Sequence, residues 1–396
     1  MPKVLRIINR FNLGGPTFNV AYLSHYLSEP YETLLVGGTK DVSEDTSEFI
    51  VEKLGLEPLI IPEMKREIDP RLDWKAYWKL RRLIREYQPD IVHTHASKAG
   101  TLGRLAALHE GVPVILHTFH GHVFHSYFSK AKTTFYKTIE RYLARKTSGI
   151  IAISERQRFE LCEEHRICAT DKTHIVPLGF DLSRFREAMD QRREAFRQRY
   201  GLADDTVAIG IIGRLVPIKN HRLFLEALVG LRQRSSTPFR AFIVGDGELR
   251  QDIESWCDAL QLPWESPERS NPEALVTLTS WIRDVELVYP GLDIVALTSL
   301  NEGTPVSLIE AQAAERPIVS TNVGGIENVV LQNTTALLSP TADVAGFTNH
   351  LIQLVDDADL RKKMGLGGWA HVKEKFHYLR LVKDIRTLYD RLLDKA

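Results

Sequence analysis

The stretch NEGTPVSLIEAQ, residues 301–312, places two carboxylates, Glu302 and Glu310, eight positions apart with glycine, threonine and proline between them. Thr304 suits an N-cap and Pro305 suits a first helical residue, so the pattern predicts a helix that begins here. Glu302 then lies in the loop before the helix, and Glu310 lies about two turns inside it. At ~1.5 Å of rise per residue, their backbones are on the order of 10 Å apart.

Two acids at that separation are too far apart to act together on one glycosidic bond in the way a retaining hydrolase does. They can instead hold two ends of one ligand, with the free amides of the helix N-terminus between them as a phosphate site. A structural alternative stays open, in which Ser307 and Glu310 form a capping box and Glu302 is a solvated surface acid.

Short apolar runs rich in β-branched residues recur along the chain, separated by segments of helical length. This alternation is typical of parallel strands joined by helical crossovers. VPLGFDLSRF, Val176–Phe185, divides the runs into two sets and is the expected domain junction. The first set is Val4–Ile8, Thr33–Val36, Leu59–Ile61, Ile91–His95, Val112–His117, Ile150–Ile153 and His174–Pro177, and the second is Val207–Ile212, Ala241–Val244, Val276–Thr279, Asp293–Leu297, Pro317–Ser320 and Ala336–Leu338.

The two sets predict an α/β protein with two Rossmann-like domains, each built on a doubly wound parallel sheet. A chain of 396 residues is long enough for two domains with separate cores. We expect the first domain over residues 1–182 and the second over 183–375, with an amphipathic helix at about 376–396 packing back on the first. Ligands bind such sheets at the carboxyl ends of the strands, and two such edges that face each other would form a cleft.

Composition excludes several classes of function. Lysine plus arginine equals aspartate plus glutamate at 51 each, so no global field favours nucleic acid. Three scattered cysteines favour a reducing cytosol over a disulfide framework. No signal peptide or run of about 18 apolar residues occurs, which excludes spanning a membrane but not touching one. We therefore expect a cytoplasmic protein, with a peripheral position on the inner face of the plasma membrane left open.

Two loops after predicted strands carry residues suited to phosphate. Gly14 and Gly15 follow the first strand and can form a tight turn before a helix, although the spacing does not fit a dinucleotide fingerprint. Arg214 and Lys219 follow Val207–Ile212 and can converge on one diphosphate. The alternatives are a plain glycine turn and ordinary surface charges.

Six of the fourteen histidines fall between residues 93 and 125, at the ends of two predicted strands. Their spacings could hold zinc, although no cysteine accompanies them. Core or surface roles, and hydrogen bonding to a polyhydroxylated ligand, are the other interpretations, and His120 is the best placed for the last. The six are His93, His95, His117, His120, His122 and His125.

The segment Phe124–Lys146 interleaves basic residues with aromatic ones. That composition suits a helix on an anionic membrane surface, and it equally suits a helix whose aromatic residues pack on the sheet. Both readings stay open.

The motifs GGPTFNV, HTFHGH, IIGRLVPIKN, VGDGELR and NEGTPVSLIEAQAAERPIVSTNVGGIENVV together resemble those of the retaining GT-B glycosyltransferases of family 4, across nearly the whole chain. The resemblance implies that Glu310 holds the ribose hydroxyls and Glu302 meets the donor hexose, with the helix amides on the diphosphate. It also assigns catalytic roles to His120, Arg214 and Lys219 beside Glu302. The implied donor site comprises Gly14, Gly15, Arg214, Lys219, Glu302, Gly303, Thr304, Pro305 and Glu310, and we place His95 and Lys98 on the acceptor side.

The resemblance further implies retaining transfer of a hexose or N-acetylhexosamine from a nucleoside diphosphate sugar, with UDP favoured, to a hydroxyl acceptor. That acceptor would be a saccharide, lipid-linked in a surface polysaccharide or glycoconjugate pathway. No cofactor or metal is expected, because Asp357-Ala358-Asp359 reads as a helix cap rather than a metal site. A nucleotide-sugar epimerase on the same fold and a non-catalytic nucleotide-sugar sensor remain alternatives.

Two further features are local. Glu315 stands where the family usually has glycine, at the expected end of the helix that contains Glu310. PWESPERSNPEA, Pro263–Ala274, is longer than a minimal connection and is expected to be a mobile loop.

Overall fold

A computed structural model describes residues 1–11, 15–27, 29–39, 48–65, 67–121 and 130–396, with the side chains of 48–49 and 130–132 left out. The chain divides into two units. One comprises Met1–Phe180 together with Lys375–Ala396, and the other comprises Asp181–Glu374. Each unit contains one parallel sheet, as the alternation of strand and helix patterns predicts.

The first sheet has seven parallel strands in the order β3-β2-β1-β4-β5-β6-β7. All seven predicted runs form strands, with shifts of one or two residues at most ends. β5 begins two residues later than predicted because Pro113 has no amide hydrogen to donate to the ladder. The strands are β1 Lys3–Arg10, β2 Glu32–Gly38, β3 Leu59–Ile61, β4 Ile91–His95, β5 Val114–Thr118, β6 Gly149–Ala152 and β7 Thr173–Ile175.

The second sheet also has seven parallel strands, in the order β10-β11-β9-β8-β12-β13-β14. Pro263–Ala274, expected to be a mobile loop, contributes the edge strand Trp264–Glu265, because the Trp264 side chain is buried in the core of this unit. The strands are β8 Val207–Ile212, β9 Phe239–Val244, β10 Trp264–Glu265, β11 Val276–Ser280, β12 Ile294–Leu297, β13 Ile318–Thr321 and β14 Ala336–Ser339.

Helices connect the strands in both units, and short 3₁₀ turns lie between several of them. The α-helices of the first unit are α1 Gly15–Tyr26, α2 Glu48–Lys53, α3 Pro70–Tyr87, α4 Ser97–His109, α5 Lys130–Lys146 and α6 Glu155–Phe159. Those of the second are α7 Met189–Arg199, α8 His221–Arg234, α9 Arg250–Ala259, α10 Val306–Ala313, α11 Val344–Asp356 and α12 Ala358–Lys375, and α13 Tyr378–Leu393 belongs to the first unit.

The first sheet is covered on both faces, because neighbouring residues of a strand point to opposite sides. Val4 packs with α1 and α13 in one apolar cluster. Leu5, the next residue, packs with α3 and α4 in another. α5 lies beside α4 and is joined to it by a buried ion pair of 2.6 Å between Arg104 and Glu140.

The last helix, α13, completes the first unit. It places Leu381, Ile385 and Leu388 against the sheet. Its Tyr389 hydroxyl accepts a hydrogen bond of 3.0 Å from Arg6, a fully buried arginine of β1. The amphipathic pattern of the sequence thus marks the face that covers the sheet.

None of the helices in the described ranges combines the length and the apolar character that a bilayer-spanning segment needs.

Candidate functional site

The carboxyl edge of the second sheet gathers charged residues from two loops. β8 is followed by a 3₁₀ turn, Pro217–Lys219, which presents Lys219. Lys219 Nζ lies 2.6 Å from Glu302 Oε1, and Ser299 Oγ donates a hydrogen bond of 2.6 Å to the same oxygen. The loop after β8 and the loop before α10 are therefore joined by an ion pair that spacing alone did not predict.

The loop that carries Glu302 rests on two consecutive glycines. Gly325 donates its amide to the Glu302 carbonyl at 2.9 Å. A Cβ on Gly324 would lie 2.1 Å from that carbonyl oxygen, and one on Gly325 would lie 1.8 Å from the Gly303 carbonyl oxygen. Any side chain at either position would displace the loop. The glycine pair in VGG therefore fixes the position of the backbone that carries Glu302.

α10 begins one residue later than predicted. Pro305, with an extended backbone, is the N-cap in place of Thr304, and Val306 is the first helical residue. Thr304 precedes a proline, whose ring disfavours the conformations that lead into a helix. No side chain caps this helix, so its first amides are available to an anion.

Glu310 lies inside α10 and is almost fully buried. Its carboxylate accepts a hydrogen bond of 3.0 Å from the Tyr289 hydroxyl and contacts Arg184 at 3.4 Å. Desolvation raises the pKa of Glu310, and the nearby Arg184 cation opposes that rise. The capping box with Ser307 does not form, because the carboxylate is held by Tyr289 and Arg184 instead.

The sequence analysis missed Arg184 and Tyr289. Neither belongs to a motif around Glu310, since they lie 126 and 21 positions away along the chain. Arg184 also contacts Glu286 at 3.6 Å, so one guanidinium bridges two acids. A lone arginine in the junction segment and a tyrosine before Pro290 gave no signal from spacing.

Arg214 follows β8 as predicted and is exposed to solvent. Within the described residues it forms no ion pair, in contrast to Lys219. One free and one paired cation thus follow the same strand. Gly303, the residue between Glu302 and Thr304, lies half-buried in the loop that the glycine pair supports.

The predicted glycine turn of the first unit is only partly covered by the structure. Gly14 lies outside the described residues. Gly15 is buried and is the first residue of α1, whereas the sequence predicts it as part of the turn before the helix. The helix therefore begins earlier than predicted.

Three of the predicted histidines, His93, His95 and His117, are fully buried in the first unit. His93 lies 2.7 Å from both the Tyr389 hydroxyl and Thr118 Oγ1, one at each ring nitrogen. His117 Nδ1 lies 2.9 Å from Thr94 Oγ1. Burial lowers the pKa of His93 and of His117 well below the usual value. For His93 the structural interpretation fits, because the fold uses both of its ring nitrogens. His117 uses only Nδ1, and its Nε2 finds no partner in the described part of the chain.

His95 and His120 form a separate pair at the carboxyl ends of β4 and β5. His95 Nδ1 lies 2.9 Å from His120 Nε2. Burial lowers the pKa of His120 to about 3, and burial with the neighbouring His93 lowers that of His95, so both rings are neutral. Their other nitrogens, His95 Nε2 and His120 Nδ1, find no partner in the described part of the chain. They remain available to a polar ligand.

Lys98, the other acceptor-side candidate, lies in the first turn of α4. It forms an ion pair with Asp73 of α3 and donates to the Glu67 carbonyl. The structure therefore gives Lys98 a role in joining α3 to α4.

The described residues contain no group of three or more metal-binding side chains placed to hold a metal ion. His122 and His125 lie outside those residues. Asp357, the first acid of the Asp-x-Asp sequence, accepts the Leu360 amide at 2.8 Å at the start of α12, as a helix cap does.

The basic and aromatic segment forms α5 over Lys130–Lys146, and residues 124–129 lie outside the described ranges. Two of its three aromatic side chains point to solvent, and the third, Tyr136, is half-buried. Phe135 and Tyr142 are 62% and 55% exposed, whereas Leu143 and Ala144 are buried.

Comparisons with known proteins agree with this architecture. A family model described as Glycosyltransferase Family 4 matches residues 14–184. A second, described as Glycosyl transferases group 1, matches residues 206–357. The two matches fall on the two units.

Curated relatives align over most of the chain. The protein is 30% identical over 337 residues to an Escherichia coli UDP-Gal:alpha-D-GlcNAc-diphosphoundecaprenol alpha-1,3-galactosyltransferase, covering 85% of this chain and 84% of that one. It is 25% identical to the capsular polysaccharide biosynthesis glycosyltransferase CapM of Staphylococcus aureus, covering 85% and 86%.

Solved structures share the fold. A crystal structure of Anabaena Alr3699/HepE in complex with UDP superposes with a TM-score of 0.81 at 17% identity, over 98% of this chain and 100% of that one. The lipopolysaccharide glycosyltransferase WaaG superposes with a TM-score of 0.72 at 15% identity, over 96% and 98%. Two Rossmann-like units, two family matches and a relative at 30% identity lead to one conclusion: the chain belongs to the GT-B glycosyltransferases of family 4 and is a transferase enzyme.

Proposed function

We propose that the protein transfers a hexose or an N-acetylhexosamine from a UDP-sugar to a hydroxyl of a saccharide acceptor, with retention of the anomeric configuration. The observation that carries this proposal is the pairing of Lys219 with Glu302 beside the uncapped start of α10. A cation, a carboxylate and free helix amides at one sheet edge suit a diphosphate joined to a sugar.

In this mechanism the leaving diphosphate gains negative charge as the bond to the sugar breaks. Arg214, Lys219 and the first amides of α10 are donors that would stabilise that charge, and Lys219 and the amides are already held in place. Preorganised electrostatics of this kind often dominates catalysis. Glu302, which forms an ion pair with Lys219, would bind the donor hexose. Reaction without a metal cofactor follows as part of the proposal, since the protein's own cations neutralise the diphosphate.

Glu310 would bind the ribose of the nucleotide. Tyr289 and Arg184 hold its carboxylate in place, and a carboxylate has lone pairs left for two ribose hydroxyls. Gly14 and Gly15 would approach a phosphate, and the free nitrogen of His120 would donate to or accept from a sugar hydroxyl. His95 and Lys98 remain the candidates on the acceptor side.

The printed names of relatives support the substrate classes. The Escherichia coli relative is named for UDP-Gal and for an acceptor on diphosphoundecaprenol. The Staphylococcus aureus relative is named for capsular polysaccharide. We therefore propose a lipid-linked saccharide acceptor in surface polysaccharide or glycoconjugate synthesis, with peripheral contact at an anionic membrane.

A panel of radiolabelled donors tests the proposal. UDP-galactose, UDP-N-acetylglucosamine, UDP-glucose and GDP-mannose are incubated with the protein, with and without a diphosphate-linked saccharide. The proposal is supported if a labelled glycoside forms only when acceptor is present, has the donor's anomeric configuration, and still forms in the presence of EDTA. Epimerised donor without acceptor would indicate an epimerase, and binding without turnover would indicate a sensor. Activity lost in EDTA and restored by manganese would refute the metal-free mechanism.

A further inference from the structure

One face of the first unit presents four large aromatic side chains to solvent. Trp74 and Trp78 of α3 are 61% and 41% exposed, and Phe135 and Tyr142 of α5 are 62% and 55% exposed. We call these four residues the aromatic face. α3, α4 and α5 pack side by side on the same side of the sheet, so the outward surfaces of α3 and α5 belong to one layer.

α3 is strongly amphipathic. Ala76, Leu80 and Ile84 are buried against the sheet at helical spacing. Trp74 and Trp78 lie on the opposite side one turn apart, with ring centroids 5.5 Å from each other. In the described part of the chain the two rings contact Tyr77, and Arg81 lies over the Trp78 ring, yet both tryptophans stay largely exposed. Exposed tryptophan pairs are unusual on a monomer surface.

α5 repeats the arrangement. Phe135 and Tyr142 are seven residues apart, two helical turns, and therefore lie on one stripe. The inward side holds Leu143, Ala144 and Glu140, and Glu140 is anchored to Arg104 of α4. That buried ion pair fixes the rotation of α5, so its aromatic stripe points away from the sheet.

The charges around the aromatic face are mostly positive. α3 exposes five cations against one acid, Glu86, which pairs with Arg82. Lys79 is paired with the less exposed Glu63. On α5, the described side chains expose two cations and no acid. The exposed cations of α3 are Arg71, Lys75, Lys79, Arg82 and Arg85, and those of α5 are Arg145 and Lys146.

We propose that the aromatic face docks on an anionic lipid bilayer. Tryptophan and tyrosine rings partition into the headgroup region, and lysine and arginine beside them are attracted to anionic lipids. The sequence leaves this role open for Phe124–Lys146, and the structure adds the two exposed tryptophans of α3. Charge complementarity favours an anionic bilayer as the partner, because the exposed cations lie on the same two helices as the rings.

The face also lies near the acceptor-side candidates of the same unit. Helices in such units run antiparallel to the strands, so α3 and α4 begin at the edge where β4 and β5 end. Asp73, next to Trp74, pairs with Lys98 at the start of α4. The inference thus deepens the proposed function: a docked bilayer would present a lipid-linked acceptor beside His95 and Lys98.

Vesicle co-sedimentation tests the inference on the full chain. Vesicles of phosphatidylcholine alone are compared with vesicles containing 40% phosphatidylglycerol, at low and high salt. We expect binding to the anionic vesicles, weakened at high salt. Trp74→Ala/Trp78→Ala and Arg71→Glu/Lys75→Glu should each weaken it by at least about tenfold, because each removes two contacts with the bilayer.

Matched controls lie in the second unit. Trp281→Ala removes an exposed tryptophan, and Lys362→Glu/Lys363→Glu makes the same charge change on α12, and neither should alter binding. With brominated lipids, the wild type should show quenched tryptophan fluorescence. Trp74→Phe/Trp78→Phe should keep most of the binding and lose the quenching, which places these two rings in the bilayer.

Three results would overturn the inference: no binding of the wild type to anionic vesicles, binding unchanged in Trp74→Ala/Trp78→Ala, or quenching unchanged in Trp74→Phe/Trp78→Phe. Donor turnover with a water-soluble saccharide acceptor is measured on the same variants. It should be unaffected, so failure of docking is distinguished from failure of the proposed transferase reaction.

Discussion

Glu302 and Glu310 share a short stretch of chain but have different surroundings. Glu302 is held by Lys219 and Ser299 at the loop, whereas Glu310 is buried beside Tyr289 and Arg184. The eight-residue spacing places them on one helix and its preceding loop. Their partners, which come from other elements, give each acid its own task.

Replacing the two acids one at a time should separate those tasks. Glu310→Gln should weaken UDP binding by about tenfold or more, since it removes charge-assisted contacts worth roughly 1.5–3 kcal/mol. Glu302→Gln should leave UDP affinity unchanged or slightly higher, because Lys219 loses a competing partner, while lowering kcat. Calorimetry and steady-state kinetics measure both. Equal losses of UDP affinity in the two variants would contradict the division.

Glu315 has a backbone conformation that is strained for any residue other than glycine. It follows the end of α10 with φ of 59°, the left-handed region in which glycine is easiest to accommodate. Its carboxylate pairs with Arg186, and that pair offsets part of the strain. The chain thus tolerates glutamate where its family usually has glycine.

Glu315→Gly should therefore stabilise the second unit by roughly 0.5–1 kcal/mol, because relief of the backbone strain exceeds the loss of a partly exposed ion pair. Glu315→Ala, which removes the pair but keeps the strain, is the matched control and should destabilise. Urea denaturation followed by circular dichroism measures both. A glycine variant less stable than wild type would show that the Arg186 pair outweighs the strain.

At the scale of elements, the sequence predicts most strands well and one poorly. Runs such as Val207–Ile212 are rich in β-branched residues and become strands with the same bounds. β10 escapes notice because it has two residues, Trp264 and Glu265, between prolines. Its strand character comes from burial of Trp264 and pairing with β11, both of which depend on tertiary structure.

The site is predictable to the same degree. Lys219, Glu302 and Glu310 are found from spacing and resemblance, because a motif keeps its members close along the chain. Arg184 and Tyr289 are not, since only folding brings them to Glu310. The sequence likewise places His95 and His120 at strand ends, but their mutual contact depends on the register of β4 against β5.

The histidines at the ends of β4 and β5 should make stability depend on pH. Burial lowers the pKa of His120 in the folded protein to about 3, below the unfolded value of about 6.5. The neutral ring therefore makes its full contribution to the free energy of unfolding above pH about 6.5, and this contribution is lost as the pH falls from about 6.5 towards 3. Wild type should lose about 2 kcal/mol more than His120→Gln between pH 7.5 and 5.0, in urea denaturation. His25→Gln, at an exposed histidine, is the control and should follow wild type. Identical pH profiles for wild type and His120→Gln would contradict the neutral, buried ring.

At the scale of the whole molecule, the two units differ in how many segments of the chain they contain. The second unit is one uninterrupted segment, Asp181–Glu374, whereas the first is closed by the returning segment Lys375–Ala396. Phe180 and the returning chain are bonded to each other, through the Phe180 amide to the Phe376 carbonyl at 2.8 Å and the Tyr378 amide to the Phe180 carbonyl at 3.0 Å.

Expressed separately, the two segments should behave differently. Residues 181–374 should unfold cooperatively, because their core needs no other part of the chain. Residues 1–180 should not, since the sheet face that contains Val4 and Ile91 lacks its α13 cover. Adding a peptide of residues 375–396 should restore cooperativity. Thermal unfolding and amide NMR spectra report the outcome, and a cooperative 1–180 fragment would show that α13 is dispensable.

The returning helix also sets an order for events on the ribosome. The strands of the first sheet leave the exit tunnel early, yet the helix that covers one of its faces is translated only after all of Asp181–Glu374. The unit encoded second therefore finishes folding first, against the usual N-terminal precedence. During that interval Val4, Leu23 and Ile91 lack the cover of α13 and present an apolar surface to solvent. Nascent chains of this enzyme thus offer chaperones a binding site whose lifetime equals the time needed to translate the second unit.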